Sequence, residues 1–431
     1  MPRELSHKIE LILTAEQENY CKKACGAARF TWNWALNAWN EAFARGEKPS
    51  AMALKKQFNA IKYQDFPWLD EIHRDAHAQP FQALSQAWSN FFKARKAGRR
   101  NTGPPVFKKK GKCRDSFYLA NDKFRIEGRT AILPKIGGVS LREPLRFEGK
   151  ILSGTVSRQA NKWFLSVAVE VLEKQYRRDR TANGVVGVDL GCKTSVTVSR
   201  GEERKKHEGP KPLKRFLARI QKLGKSLSRK HESAKAACGL SGESSHPNVC
   251  VLRSRNTEKT AKKLARTYRK TRNIRQDFLH KLTTKLCREN QAIGLETLNV
   301  AGMVQNRKLA RSVSDIGMGE FVRQLVYKAD RYGTLLVFAD PWFPSSKTCS
   351  NRTCGFVLDS LPLSVREWTC PACGTVHDRD ICAAENLENL AWSALEKTLP
   401  AASGEVTPVR HEDRLQKASG QELLTHTPLC T

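Results

Sequence analysis

Acidic side chains are scarce in this sequence. Against 75 lysines and arginines stand only 43 aspartates and glutamates, which leaves a formal net charge of +32. A chain with so little internal compensation repels itself unless a polyanion is near, so nucleic acid is the first partner that the composition implies. Missing too is any run of about 18 apolar residues able to cross a bilayer. The opening "MPRELSHKIELIL" alternates as a strand does and lacks the apolar h-region of a signal peptide. No basic amphipathic helix flanked by a lipid anchor is present either, which sets acidic membranes behind nucleic acid. The protein is therefore expected to be soluble and intracellular, with no membrane partner. Its 13 cysteines are odd in number and scattered, which argues against a disulfide framework. At 431 residues the chain has room for two or three domains with cores of ordinary size.

Residues 7–13 read as a strand, and "TAEQ" from Thr14 has the form of a capping box that opens a helix. Trp32, Leu36, Trp39 and Phe43 follow at helical spacing as a core stripe, and helix resumes until Gly98. "RRNTGPPVFKKKGKCRDSF" then breaks regular structure. It gathers Arg99, Arg100, Lys108, Lys109, Lys110, Lys112 and Arg114 around Phe107 and Phe117, cations for phosphates beside rings for bases. From Phe124 to Val171 the pattern alternates, as expected of a small antiparallel barrel of the oligonucleotide-binding kind. Residues 201–253 are polar and broken by glycine, serine and proline, and read as an irregular insertion. Residues 254–288 form a long helical pattern. Arg255, Lys259, Lys262, Arg266 and Arg269 share one stripe, opposite Leu264, Tyr268, Phe278, Leu282 and Leu286. The tail after Pro400 has no aromatic residue and reads as disordered.

Three acids stand where a metal site would need them. Asp189 ends a valine-rich strand, Glu296 ends another in "AIGLE", and Asp380 opens the amphipathic helix "DICAAENLENLAWSAL". Carboxylates gathered at strand and helix ends repel each other, and two Mg²⁺ ions about 3.5–4 Å apart relieve that repulsion while catalysing phosphodiester hydrolysis. Taken singly each acid is weak evidence, because Asp378 or Asp380 could simply cap the helix. A second set, Asp189 with Asp340 and Glu385, matches the D, D, E pattern of a cut-and-paste transposase. Both sets suit a ribonuclease H-like sheet, and spacing does not choose between them. Between Glu296 and Asp380 lie Cys349-x4-Cys354 and Cys370-x2-Cys373, each pair followed by glycine. Two short-spaced pairs at this separation predict one structural Zn²⁺ bound by four thiolates. Its binding would fold a loop too small to fold alone, with free energies on the order of 10–16 kcal/mol in comparable peptides.

"GVVGVDLGCKTSVTVS", "AIGLETLNVAGM" and "CSNRTCG…WTCPACGTVHDRDICAAENL" resemble, in order, the three RuvC motifs and inserted zinc finger of TnpB proteins, transposon-encoded relatives of type V CRISPR effectors. Upstream, "AARFTWNWALNAWNE", "GPPVFKKK" and "LREPLRFEGKILSGTVSRQANKWFLSVAVE" look like that family's helical recognition segment and wedge barrel. The resemblance implies an α+β multi-domain protein. Residues 1–14 and 104–178 would form the wedge barrel, and 15–103 an inserted helical recognition domain. Residues 183–348 and 376–400 would form an RNase H-like (RuvC) nuclease, 349–375 a zinc finger that binds target nucleic acid, and 401–431 the tail.

It also implies an RNA-guided DNA endonuclease whose guide comes from the transposon end. A short flanking motif on double-stranded DNA is read by protein and the rest by base pairing. The protein would be cytoplasmic, on the prokaryotic nucleoid, and would act alongside a separate transposase. Asp189, Glu296 and Asp380 are the positions that match its Mg²⁺-binding acids, and Lys108, Lys109 and Lys110 join the helical stripe as nucleic-acid contacts. Where the family has C-x2-C the first zinc pair here is C-x4-C, and where it has Asn two places after the last Asp, Cys382 stands. The competing readings are an RNA-guided or DNA-binding repressor that cuts nothing, and a D, D, E-type transposase. Phosphate-dominated binding predicts that RNA affinity falls by at least about 10³-fold between roughly 50 and 200 mM salt. A flat response in a filter-binding titration would contradict it.

Overall fold

The computed structural model describes residues 2–98, 102–237 and 254–398, and the chain divides between Tyr176 and Arg177 into two units. In the first, strand β1 (Arg3–Ile12) leads into helix α1 (Ala15–Ala44) through the expected capping box. Thr14 Oγ1 accepts from the Gln17 N–H, and Gln17 Oε1 accepts from the Thr14 N–H, both at 3.2 Å. Helices α2 (Ala51–Asp65) and α3 (Arg74–Lys96) close over α1 around the fully buried Leu36, Phe58, Phe81 and Leu84. The stripe stops one turn short, since Phe43 is 70% exposed.

Strands β2 (Ser116–Ala120), β3 (Arg125–Glu127), β4 (Thr130–Leu133), β5 (Gly137–Leu141), β6 (Lys150–Gln159) and β7 (Lys162–Val171) join β1 in one antiparallel sheet, ordered β2-β6-β7-β1-β5-β4-β3. The short helix α4 (Glu173–Tyr176) ends the unit. The expected barrel does not close: β2 and β3 are the two edges, with no ladder between them. β3 offers three residues beside the ten of β1, β6 and β7, too few ladder groups to seal a cylinder. Phe117 is 4% exposed within β2, so it belongs to this core and is not a ring offered to bases.

The second unit is built on a mixed five-stranded sheet. Its strands are β8 (Gly184–Asp189), β9 (Val196–Arg200), β10 (Glu203–His207), β11 (Asn290–Leu295) and β12 (Leu335–Phe338), ordered β10-β9-β8-β11-β12. β8, β11 and β12 are parallel, β9 pairs antiparallel with β8, and β10 pairs antiparallel with β9. Helices α5 (Pro212–Ala237) and α6 (Arg255–Glu289) form a hairpin between β10 and β11. Residues 201–237, expected to be irregular, are thus β10 and α5. Leu213, Leu217, Ile220, Leu223 and Leu227 recur at three- to four-residue spacing within a polar text and give α5 a packing face. The remainder of that expectation, 238–253, lies outside the described residues, as does the tail from 399. Helices α7 (Val300–Gln305), α8 (Ala310–Ile316) and α9 (Met318–Tyr332) connect β11 to β12. A two-stranded ribbon, β13 (Glu367–Thr369) and β14 (Val376–Asp378), precedes the last helix, α10 (Arg379–Thr398).

Alternation along β8 and β11 sorts side chains between two faces. Val186, Val188, Ile293 and Leu295 pack on one face with residues of α6 and α9, while Val185 and Ala292 pack on the other with Ala391 and Leu395 of α10. On that second face Gly187 and Gly294 are register partners. A Cβ at Gly187 would stand 1.8 Å from the Ala384 carbonyl oxygen, and one at Gly294 would stand 2.0 Å from that of Leu387. Both glycines therefore let the α10 backbone lie directly on the sheet. Gly294→Ala is expected to lower the unfolding free energy by about 3 kcal/mol, the upper end of overpacking costs. An unchanged urea midpoint would refute that contact.

Candidate functional site

The same alternation aims two acids at α10. Asp189 follows Val185 and Gly187 at two-residue steps, and Glu296 follows Ala292 and Gly294 in the same way. The parallel register Val188↔Leu295 brings both to the carboxyl ends of neighbouring strands. Asp378 caps α10 by accepting from the N–H groups of Asp380 and Ile381 at 3.1 Å. The capping role suspected of either aspartate thus belongs to Asp378, and the Asp380 carboxylate is left for other use. Burial first, then the negative charges of Glu296 and Asp380, push the Asp189 carboxyl up to about 8, against the Leu190 N–H and the Arg379 cation. The three acids expected from the sequence thus act on one another at Asp189. Arg366 pairs with Asp380 at 3.5 Å. Glu296 accepts a hydrogen bond of 2.5 Å from the Ser345 hydroxyl.

The second set of acids does not assemble. Asp340 is exposed and its Oδ1 accepts from the Trp342 N–H at 2.9 Å, the geometry of a turn. Glu385 lies about 140° around α10 from Asp380 at 100° per residue. There it pairs with Arg204 and accepts from Ser350, at the wall of a cavity of about 550 Å³ that Ser199 and Arg352 also line. The adjacent Glu388 is buried and accepts from the Ser199 hydroxyl and the Gly201 N–H, both at 2.7 Å, which binds α10 to β9.

Cys349, Cys354, Cys370 and Cys373 place their sulfur atoms within 4.8 Å of one another. Among the described residues no other group of acids, histidines or cysteines draws its ligand atoms that close, so the three carboxylates are more widely spaced than this. The C-x4-C spacing is accommodated because Asn351 O accepts from the N–H groups of Cys354 and Gly355, with Gly355 at φ +61°. Gly374, at φ +71°, turns the second knuckle. The Thr375 hydroxyl and N–H hold the Cys373 thiol down to about 6, poised as a thiolate ligand. Sequence reasoning missed His377, which is buried with Nε2 3.1 Å from Cys349 Sγ and Nδ1 3.3 Å from Ser350 Oγ. Only its place in "CGTVHD", four residues beyond the last cysteine, hinted at it.

Of the nucleic-acid candidates, Arg255, Lys259, Lys262 and Arg266 lie exposed along α6, and Lys109 and Lys110 are exposed on their loop. Arg269 is half-buried, with one guanidinium nitrogen enclosed. Lys108 departs from expectation. Its ammonium sits 3.6 Å from the centre of the Trp32 ring, while its backbone N–H and carbonyl bond the Asn33 side chain, and burial lowers its pKa. The cation–π contact holds this lysine against α1, so it anchors the loop instead of offering a phosphate contact. Tyr268 also differs from its predicted packing role, being 40% exposed. The N-terminal half of α6 buries threonines 257, 260, 267 and 271 in its place. Sequence reasoning also missed the cations of α5, Lys214, Arg215, Arg219, Lys222, Lys225 and Arg229, all exposed but for their stems.

Comparison with known proteins adds a family context. Residues 166–307 match the model described as "Probable transposase" (OrfB_IS605). Residues 319–387 match "Cas12f1-like, TNB domain", and residues 1–48 match a "Helix-turn-helix domain", although one strand and one long helix occupy that segment here. A protein of Streptomyces pristinaespiralis named "Putative RNA-guided DNA endonuclease" is 32% identical over 414 residues, covering 94% of this chain and 92% of its own. A protein of Escherichia coli K12 with the same designation, InsQ, is 29% identical, covering 90% and 92%. Among solved structures, one described as the mini-RNA-guided endonuclease CRISPR-Cas_phi3 matches with a TM-score of 0.43 and 11% identity, covering 90% and 92%.

An Asp189 carboxyl raised in the folded state favours the fold while protonated, and its contribution is lost as pH rises from the unfolded value of 3.8 through about 8. In chelator, Asp189→Asn is expected to raise Tm by at least about 5 °C near pH 8, at roughly 2–4 °C per kcal/mol, with the gain shrinking as pH falls and vanishing only below about pH 4. Equal melting curves at both pH values would show that the acids do not press on one another.

Proposed function

The chain belongs to the TnpB family of transposon-encoded RNA-guided DNA endonucleases, and from that premise we propose how its own residues carry out the cutting. Asp189, Glu296 and Asp380 together hold two Mg²⁺ ions. The observation that carries this reading is the convergence of three carboxylates on the α10 face of the sheet, with Asp189 pressed upon by both others. Such a donor set, all oxygen and only partly countered by Arg366 and Arg379, suits hard divalent cations. When bound, these ions would supply the Lewis acids that activate water and steady the leaving oxygen of a phosphodiester. Asp189, which both partners press upon, would face these ions together with Glu296 and Asp380. A mixed sheet with acids at strand ends and on the helix crossing it supports an RNase H-like, RuvC-type nuclease.

The four cysteines bind one structural Zn²⁺. Four thiolates leave no open position, so that ion holds the knuckle between β12 and α10 in shape and takes no part in catalysis. The first unit, a helical trio on an antiparallel sheet, serves as the recognition domain and wedge, and the zinc finger touches target nucleic acid. Guide RNA transcribed from the transposon end lies along the basic surfaces of α5 and α6. Target duplex is opened beside a short flanking motif, and one site cuts both strands in turn. A separate transposase would supply the strand-transfer chemistry that this site lacks.

Replacing Glu296 by Ala is expected to reduce cleavage of a guide-matched duplex by at least about 10³-fold with guide RNA still bound, whereas Glu385→Ala leaves cleavage within about tenfold. Loss of cleavage in Glu385→Ala with retention in Glu296→Ala would return the choice to the D, D, E set.

A further inference from the structure

Between β12 and the first cysteine of the thiol cluster runs a strap, residues 340–348, that leads from the carboxylates to the cysteines. Its path is tightly prescribed. The Phe343 N–H donates to Asp340 O at 2.9 Å, Ser345 N–H to Phe343 O at 2.8 Å, and the N–H groups of Lys347 and Thr348 to Pro344 O at 3.0 Å. Successive turns through Pro341 and Pro344 leave the backbone few alternatives. At its far end the Cys349 N–H donates to Phe356 O at 2.7 Å, within the zinc loop.

Helix α10 grips the middle of this strap. Asn386, 5% exposed, donates its amide hydrogens to Ser345 O at 2.8 Å and Thr348 O at 2.7 Å. Cys382, 1% exposed, donates to the same Thr348 oxygen at 3.1 Å. The helix that presents Asp380 therefore fixes Ser345, itself only 5% exposed. The Ser345 hydroxyl reaches Glu296 Oε1 at 2.5 Å. From the other side, Ala339 N–H donates to Leu295 O at 2.8 Å and the Thr297 hydroxyl to Ala339 O at 2.6 Å, which pins the backbone on both sides of Glu296. With the backbone fixed, the Glu296 side chain keeps three free torsions, and among the described residues the donor that orients its carboxylate is Ser345.

We propose that Ser345 is a positioning residue for this nuclease, holding one oxygen of Glu296 so that the other is presented to a divalent cation, and that Asn386 sets Ser345 from the helix that carries Asp380. This rests on the reading of Glu296 as a metal ligand. Such outer partners of ligating carboxylates typically contribute 10–100-fold in metal affinity or activity. Cys382 also acquires a role: it secures the strap and makes no bond to Asp380.

The test measures Mn²⁺ binding to the RNA-loaded protein by calorimetry, without DNA, for wild type, Ser345→Ala, Ser346→Ala and Glu296→Ala. Zinc content and RNA affinity are followed as checks on the fold. Ser345→Ala is expected to bind Mn²⁺ about 10–100-fold more weakly with zinc and RNA unchanged, Ser346→Ala as wild type, and Glu296→Ala more weakly still. In cleavage, Ser345→Ala lowers kcat with little change in KM for DNA, and excess Mn²⁺ restores part of the rate. Wild-type Mn²⁺ affinity in Ser345→Ala beside a loss in Glu296→Ala would overturn the positioning role and spare the ligand assignment. Wild-type affinity in both would overturn the ligand assignment as well.

Discussion

The second unit depends on one close contact, the α10 backbone resting on Gly187 and Gly294. Each glycine stands two residues before an acid, on the strand face that the acid shares. Helix and sheet approach until a Cβ at either position would meet a carbonyl oxygen at about 2 Å, a separation that no other residue tolerates. The first turn of α10 is thereby brought to the carboxyl ends of β8 and β11. Moving the helix outward by the thickness of a methyl group would carry Asp380 away from Asp189 and Glu296 together. The absence of side chain at two positions is what assembles the charged ones.

Convergence has an electrostatic cost that the fold leaves largely unrelieved. Asp189 is pushed up to about 8 by burial and by its two neighbours, while Glu388, one turn beyond Ala384 on the same helix, is fully satisfied by Ser199 and Gly201. The contrast separates two kinds of acid, Glu388 buried and Asp189 half-buried. One closes its hydrogen bonds within the protein and fastens α10 to β9. The other is left to be completed from outside, as expected of a functional group. The zinc knuckle enters this balance through the strap from 340 to 348, since the segment that delivers Cys349 to the thiolate cluster also delivers Ser345 to Glu296. The cysteine cluster and the carboxylate trio thus share one short length of backbone.

Much of this is legible in the residues alone. Thr14 and Gln17 mark the start of α1, the two cysteine pairs mark their cluster, and the valine-rich run ending at Asp189 marks a buried strand. Each of these signals is local, carried by residues a few positions apart. Where sequence reasoning fails, the cause is also physical. Lys108 looks like every other lysine in "FKKK" until Trp32, on a helix more than sixty residues earlier, supplies a ring beneath it. Residues 212–237 hide an amphipathic period among lysines, serines and a glycine. The expected barrel stays open because three short strands cannot match ten-residue neighbours.

The sequence by itself determined the inventory: an excess of cations for a polyanionic partner, four thiols at knuckle spacing, and acids at the ends of strands and at the head of a helix. It left two sets of acids equally plausible on spacing. Only the tertiary structure shows which carboxylates repel one another, because that depends on strand register and on the rotation of α10. These place Asp380 toward the sheet acids and Glu385 toward Arg204. It alone singled out Ser345 from Ser346, because a hydrogen bond is fixed by distance and direction in space, and adjacent serines of one loop carry no mark of which will face a carboxylate.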